Sequence, residues 1–183
     1  MPDCQRAASC RSPSPPGSRR QSLQFALALA CAPALPAWAL DAPRGPIQLT
    51  LTGRLRYRNA GAQAQFDMAM LASLPQQSFS ARTPWFAQTR KFTGPLLRDV
   101  LAAAGAQGKL LRLSALNDYN AQMPVEDALR HDVLVARLLD DKPMAVRDKG
   151  PLFVIYPFDT LSELRSAIYF SRSVWQLRTI DVI

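Results

Sequence analysis

Cysteine is scarce: the 183-residue chain has three, Cys4, Cys10 and Cys31, and none beyond position 31. From there on no disulfide can form and no thiolate can hold a soft metal. Histidine is scarcer still, His131 being the single one, which excludes a multi-histidine metal centre. Its plain reading is a partly exposed residue near a helix C-terminus. No Gly-x-Ser-x-Gly elbow, phosphate loop or Gly-x-Gly-x-x-Gly occurs, so the familiar hydrolase and nucleotide-binding machinery is missing. There is no internal repeat, and no uncharged apolar run reaches the roughly 20 residues that a spanning helix needs.

Residues 1–22 are rich in Arg, Ser and Pro with no apolar period, and Leu23 to Ala39 follow as LQFALALACAPALPAWA without a charge. Pro33 and Pro36 interrupt that run, and Ala37-Trp38-Ala39 has the small-x-small form of a signal-peptidase site. Residues 1–39 are therefore expected to be a signal peptide, leaving residues 40–183 as a single exported, periplasmic domain. Ser18-Arg19-Arg20-Gln21-Ser22-Leu23-Gln24 resembles the twin-arginine export signal. A general secretory signal carries arginines as well, so both routes stay open. Cleavage would take four arginines and one aspartate, lowering the net charge from +8 to +5. The remaining arginines are scattered singly, which describes a solvated basic surface and not a nucleic-acid footprint. No membrane insertion is expected after cleavage.

Along the remainder, Ile47, Leu49, Leu51, Leu55 and Tyr57 alternate with polar residues, predicting a half-buried strand bent at Gly53. Asp67 can cap a short helix running to Leu74 and closed by Pro75, and Gln77 to Arg82 read as extended. Pro95 to Ala104 is the clearest helix, with Thr93 or Gly94 as its cap and Gly105 as its stop. Lys109 to Leu116 and Tyr119 to Met123 form a hairpin about Asn117-Asp118, and a short helix runs from Pro124 to near His131. Asp132 to Leu139 is a strand. Pro151 to Tyr156 is apolar on both faces and so is expected at a sheet centre. Leu161 to Tyr169 suggests a helix, and Val174 to Ile183 a closing strand. Strands dominate and the helices are short and irregularly interspersed, which predicts an α+β fold, not a doubly wound sheet.

The chemistry available lies in loops that combine aromatic rings with fixed charge: Thr83-Pro84-Trp85, Asn117-Asp118-Tyr119, Arg147-Asp148-Lys149-Gly150-Pro151, Tyr156-Pro157 and Ser171-Arg172-Ser173-Val174-Trp175. Rings offer stacking surfaces, amides and carboxylates accept from heterocyclic N–H groups, and Arg or Lys meets phosphate or carboxylate. Together they suit a flat polar heterocycle. Singly, each has an ordinary structural reading, since tryptophans commonly pack in cores and Asn-Asp commonly turns the chain.

The series Trp85, Phe92-Thr93-Gly94-Pro95-Leu96-Leu97-x-x-Val100-Leu101, Asn117-Asp118-Tyr119 with Met123-Pro124, Lys149-Gly150-Pro151-Leu152-Phe153-Val154-Ile155-Tyr156-Pro157 and Trp175 resembles the oxidoreductase molybdopterin-binding domain. The resemblance covers roughly residues 45 to 183. It implies the mixed, β-rich sulfite-oxidase fold with a pterin or molybdopterin-like ligand between the loops named above. Enzymes of that family hold molybdenum through a cysteine a few residues before the tryptophan matched by Trp85. Here the stretch reads Phe79-Ser80-Ala81-Arg82-Thr83-Pro84-Trp85, with Ala81 at the expected ligand position and only hard oxygens, such as that of Ser80, nearby.

The resemblance, less its thiolate, implies a periplasmic pterin-binding protein without molybdenum that reports to a membrane-bound sensor. Trp85 and Tyr156 would pack against or stack on the ligand, Asn117, Asp118 and Arg172 would recognise its polar edge, and Arg147 and Lys149 would meet any phosphate or acidic tail, with Tyr119 and Trp175 completing the site. The rival reading is a small molybdopterin-dependent oxidoreductase with an unconventional ligand set. A third is an interaction module whose pocket is vestigial.

Overall fold

The computed structural model describes residues 40–183. The expected signal segment and all three cysteines lie outside the described residues. In chain order the elements are β1 (Ile47–Gly53), β2 (Ala64–Asp67), α1 (Met68–Ser73), β3 (Gln76–Ala81), β4 (Arg90–Pro95), α2 (Leu97–Ala103), β5 (Leu110–Ala115) and β6 (Asn120–Pro124). They continue with α3 (Val125–Arg130), β7 (Leu134–Ala136), β8 (Leu138–Leu139), β9 (Lys142–Pro143), β10 (Phe153–Ile155), α4 (Ala167–Arg172), β11 (Val174–Trp175) and β12 (Leu177–Val182). Short 3₁₀ turns stand at Val146–Asp148 and Ser162–Leu164. Strands with short interspersed helices make this the mixed α+β fold that the sequence predicts.

The alternation in β1 buries Leu49 and Leu51 on one face of a five-stranded sheet of order β2-β1-β12-β5-β6, joined there by Leu111, Leu113, Ile180 and Val182. β1 and β12 run parallel and the other pairs antiparallel. The opposite face carries Thr50, Thr52, Ser114 and Thr179, as a one-sided sheet requires. The bend expected at Gly53 is there: its φ is +86°, and a Cβ would lie 2.1 Å from the Val182 carbonyl oxygen. Asp67 caps α1 by accepting from Met70 N, and its other oxygen accepts from Arg44 N and Gly45 N at 2.8 Å each. These backbone N–H groups, that of Met70 foremost, hold its carboxyl below the usual carboxylate range.

A four-stranded sheet, β3-β4-β8-β9, and a three-stranded sheet, β11-β10-β7, complete the fold. β10 lies between β11 and β7 with every residue buried, as its doubly apolar pattern predicts.

Four expectations need correction. Thr93-Gly94-Pro95 does not open a helix. These residues end β4, which passes against β7 so closely that a Cβ on Gly94 would lie 2.2 Å from the Val135 carbonyl oxygen. α2 starts at Leu97, whose N–H finds Val133 O at 2.8 Å in place of a side-chain cap. The strand expected over Asp132 to Leu139 divides at Arg137, β7 joining β10 and β8 joining β4. The helix expected over Leu161 to Tyr169 is a 3₁₀ turn followed by α4, three residues further on than expected at its end. The closing strand is broken at Gln176, whose φ is +54°.

Candidate functional site

Trp175 of β11 is the meeting point of the loops. The Tyr119 ring lies parallel to it, 8° between planes and 6.4 Å between centroids. The Lys149 ammonium stands 4.6 Å from the Trp175 ring centroid and 5.8 Å from that of Phe86. The Arg90 guanidinium is 5.5 Å from the same Phe86 ring. Cations this close to aromatic faces are attracted by the ring quadrupole. Arg90 also lies against Asp140, with Nε 2.8 Å from Oδ2 but without the alignment of a hydrogen bond.

Phe86 forms one wall of a cleft of about 450 Å³ with Arg82, Thr83, Gln88 and Thr89. Thr83 is nine-tenths buried, yet its hydroxyl has no hydrogen-bond partner among the described residues. Such a group costs free energy unless something else satisfies it. The loop is anchored from below: Arg82 N donates to Asp159 Oδ2 at 3.0 Å, and Arg165 pairs with the same carboxylate. Burial raises the Asp159 pKa, but the Arg82 N–H and the Arg165 guanidinium outweigh it and hold the group below its usual range.

Three expected residues, Tyr119, Lys149 and Trp175, are thus brought together. Trp85 joins them from behind, edge-on to Trp175 at 5.6 Å, Phe153 at 5.4 Å and Phe170 at 6.0 Å. It supports the platform and is not itself a free stacking face. Asn117 accepts from Tyr119 N at 3.3 Å, which makes it the former of the turn. Asp118, in the left-handed region at φ +64°, lines a different cleft over the polar face of the five-stranded sheet. Arg147 is exposed beside Asp148, apart from the rings.

Tyr156 and Arg172 are corrections. Tyr156 has no exposed surface, and its hydroxyl donates to Asp127 Oδ2 at 2.6 Å. Arg172 Nη1 donates to the same oxygen at 2.8 Å. A ring with no exposed surface can neither pack against a ligand nor stack on one, and an arginine spent on an internal carboxylate is not a free edge reader. Burial first, then the bond to Asp127, pushes the Tyr156 hydroxyl well above the usual tyrosine range.

Sequence reasoning missed Phe86, Arg90, Asp127, Asp159 and Gln176. Only Phe86, next to Trp85, carried a local signal. The other four acquire their roles through partners distant in sequence. Ala81, at the expected metal-ligand position, is fully buried at the end of β3. Among the described residues no group of three or more His, Cys, Asp or Glu side chains could hold a metal ion.

A family model, the oxidoreductase molybdopterin binding domain, matches residues 57–163, more than half the chain. The chain belongs to that family. None of the curated proteins compared with it matches the chain. The match takes in Thr83, Trp85, Phe86, Tyr119 and Lys149, while Arg172, Trp175 and Gln176 follow it. The residues present fit the pterin part of such a cofactor: the cleft is lined by Thr83, Phe86 and Arg82, and the Arg90 and Lys149 cations stand over the Phe86 ring. They do not fit a metal held by a thiolate, because a methyl group stands at Ala81 and no cysteine follows Cys31.

Proposed function

We propose that this is a periplasmic pterin-binding protein whose ligand enters the Thr83 cleft, and that it uses no chain thiolate to hold molybdenum. One observation carries the reading: Thr83, whose hydroxyl is buried and has no partner among the described residues, lines a cleft walled by Phe86, over whose ring stand Lys149 and Arg90. A pterin offers ring N–H groups and a carbonyl for hydrogen bonds, a flat face for the aromatic wall, and a side chain that can be anionic. Family membership supports the ligand class. Occupancy would be reported to a membrane-bound sensor by the surface around Trp175 and Tyr119.

The test is fluorescence titration of the exported protein with 6-carboxypterin. Binding that Lys149→Gln weakens is expected, and no binding would overturn the reading. Elemental analysis of protein isolated from its own compartment separates this reading from a small molybdopterin oxidoreductase. The proposal expects far less than one molybdenum per chain, and a stoichiometric value would favour the enzyme.

A further inference from the structure

Gln176 interrupts β11 and β12 in a backbone conformation, φ +54°, that side chains other than glycine seldom adopt. The reversal gives this residue partners on both sides. Its N–H donates to Lys149 O at 3.1 Å, and its carbonyl accepts from Leu116 N at 2.9 Å. Its side-chain Nε2 donates to Val146 O at 2.7 Å. Val146 and Lys149 belong to the loop whose ammonium stands over Trp175. Leu116 begins the turn that presents Tyr119, closed by Ala115 N to Tyr119 O at 2.9 Å. A single residue, adjacent in sequence to Trp175, therefore ties together the two segments that flank its ring. A regular strand residue would direct its N–H and carbonyl into one ladder, and could not bridge the two loops.

We infer that Gln176 is a positioning residue of the pterin site, fixing the Lys149 loop and the Tyr119 turn relative to Trp175. This rests on the pterin reading above. The ligand need not touch Gln176. Its backbone N–H holds the Lys149 end of the loop and its side-chain amide the Val146 end, where the turn otherwise closes, among the described residues, on Ala145 through Asp148 N and Gly150 N.

Gln176→Gly is the informative variant. Glycine accepts the positive φ, keeps both backbone bonds and loses only the side-chain donor. Gln176→Glu keeps length and shape but offers no donor to Val146 O. In ligand-free protein both variants should melt no lower than a few degrees below the unmodified chain. Amide exchange at Asp148 and Gly150 should accelerate at least severalfold, and exchange in β5 and β12 should stay unchanged. Affinity for 6-carboxypterin should fall about tenfold, the loss of one bond that holds a loop in place. The discriminating arm is a double-mutant cycle. Lys149→Gln, costly in the unmodified background, should cost less than about twofold in the Gln176→Gly background, where the Val146 end of the lysine's loop is no longer tied down. Equal costs in both backgrounds, or unchanged exchange at Asp148 and Gly150, would overturn the inference. Failure of the unmodified protein to bind 6-carboxypterin would instead overturn the pterin reading, leaving the exchange result to decide whether Gln176 holds the loop.

Discussion

A buried hydroxyl without a partner costs the fold free energy, so its removal separates binding from stability. Thr83→Val keeps the shape of the side chain and deletes the oxygen. Thermal unfolding should occur at an unchanged or higher temperature, while 6-carboxypterin affinity drops by roughly ten- to a hundredfold. A drop in both would mean that the hydroxyl serves the protein itself. The opposite case is Asp127, which accepts from Tyr156 and Arg172 on one oxygen. Asp127→Ala leaves a buried phenol and a mostly buried guanidinium without their acceptor, and urea unfolding should register a loss of roughly 2 to 3 kcal/mol. Residue types were legible in the sequence at these positions, but directions were not. Tyr156 and Arg172 look like surface recognition groups until α3 is packed against them, because only the tertiary structure supplies Asp127. Tyr119, Lys149 and Trp175 are instead brought side by side, the lysine and the tyrosine ring both lying against the half-buried Trp175 ring.

The tyrosine buried on Asp127 also sets a pH dependence with a definite sign. Its hydroxyl keeps its proton in the folded state above the ordinary value of 10.0, at which an unfolded tyrosine loses it. The unfolded chain then binds fewer protons, so stability falls as pH rises above about 10. Tyr156→Phe should flatten that fall relative to the unmodified protein in chemical denaturation at pH 9 to 11. An unchanged slope would place the effect elsewhere.

At the scale of elements, the crossing of β4 over β7 depends on one missing side chain. Gly94→Ala would press a methyl into the Val135 carbonyl, 2.2 Å away, and neither backbone can yield without parting the two sheets. A loss of about 2 to 4 kcal/mol in denaturant unfolding is expected, and a neutral result would contradict the described crossing. The same glycine is why the start of α2 departs from the local sequence pattern. Thr-Gly-Pro before an apolar period is a regular helix opening when only local chemistry is considered, and close approach to another strand leaves no local trace. Strands with strict alternation, β1 and β5, and the cap at Asp67 were legible because the sequence alone contains their cause. The break at Gln176 was not, since no residue type there announces a left-handed turn.

Asp67 anchors the entry of the chain as well as α1. Its carboxyl, held below the usual range by the N–H groups of Met70, Gly45 and Arg44, contributes stability that is present above the ordinary carboxylate value and is lost as pH falls through the lowered one. In Asp67→Asn the acid limb of the stability profile should be shallower, a difference that denaturant unfolding between pH 2 and 5 would reveal.

For the whole molecule, the site is a product of topology. Phe86 precedes β4, Tyr119 turns between β5 and β6, Lys149 precedes β10 and Trp175 ends β11, and the three sheets bring them to one place. No spacing rule joins residues so far apart; the shared chemistry of their loops and the resemblance to a known domain are what group them in the sequence. The aromatic cluster of Trp85, Phe153, Phe158 and Phe170 beneath them keeps the platform rigid. A rigid platform binds without first having to be ordered, which favours recognition of a small planar ligand. The most direct measurement is fluorescence titration of purified residues 40–183 with 6-carboxypterin, alongside Thr83→Val and Lys149→Gln. Saturable one-to-one quenching that both substitutions weaken, with circular dichroism unchanged, is the predicted result. Absence of saturable binding, or equal affinity in all three proteins, would contradict a pterin site at Thr83.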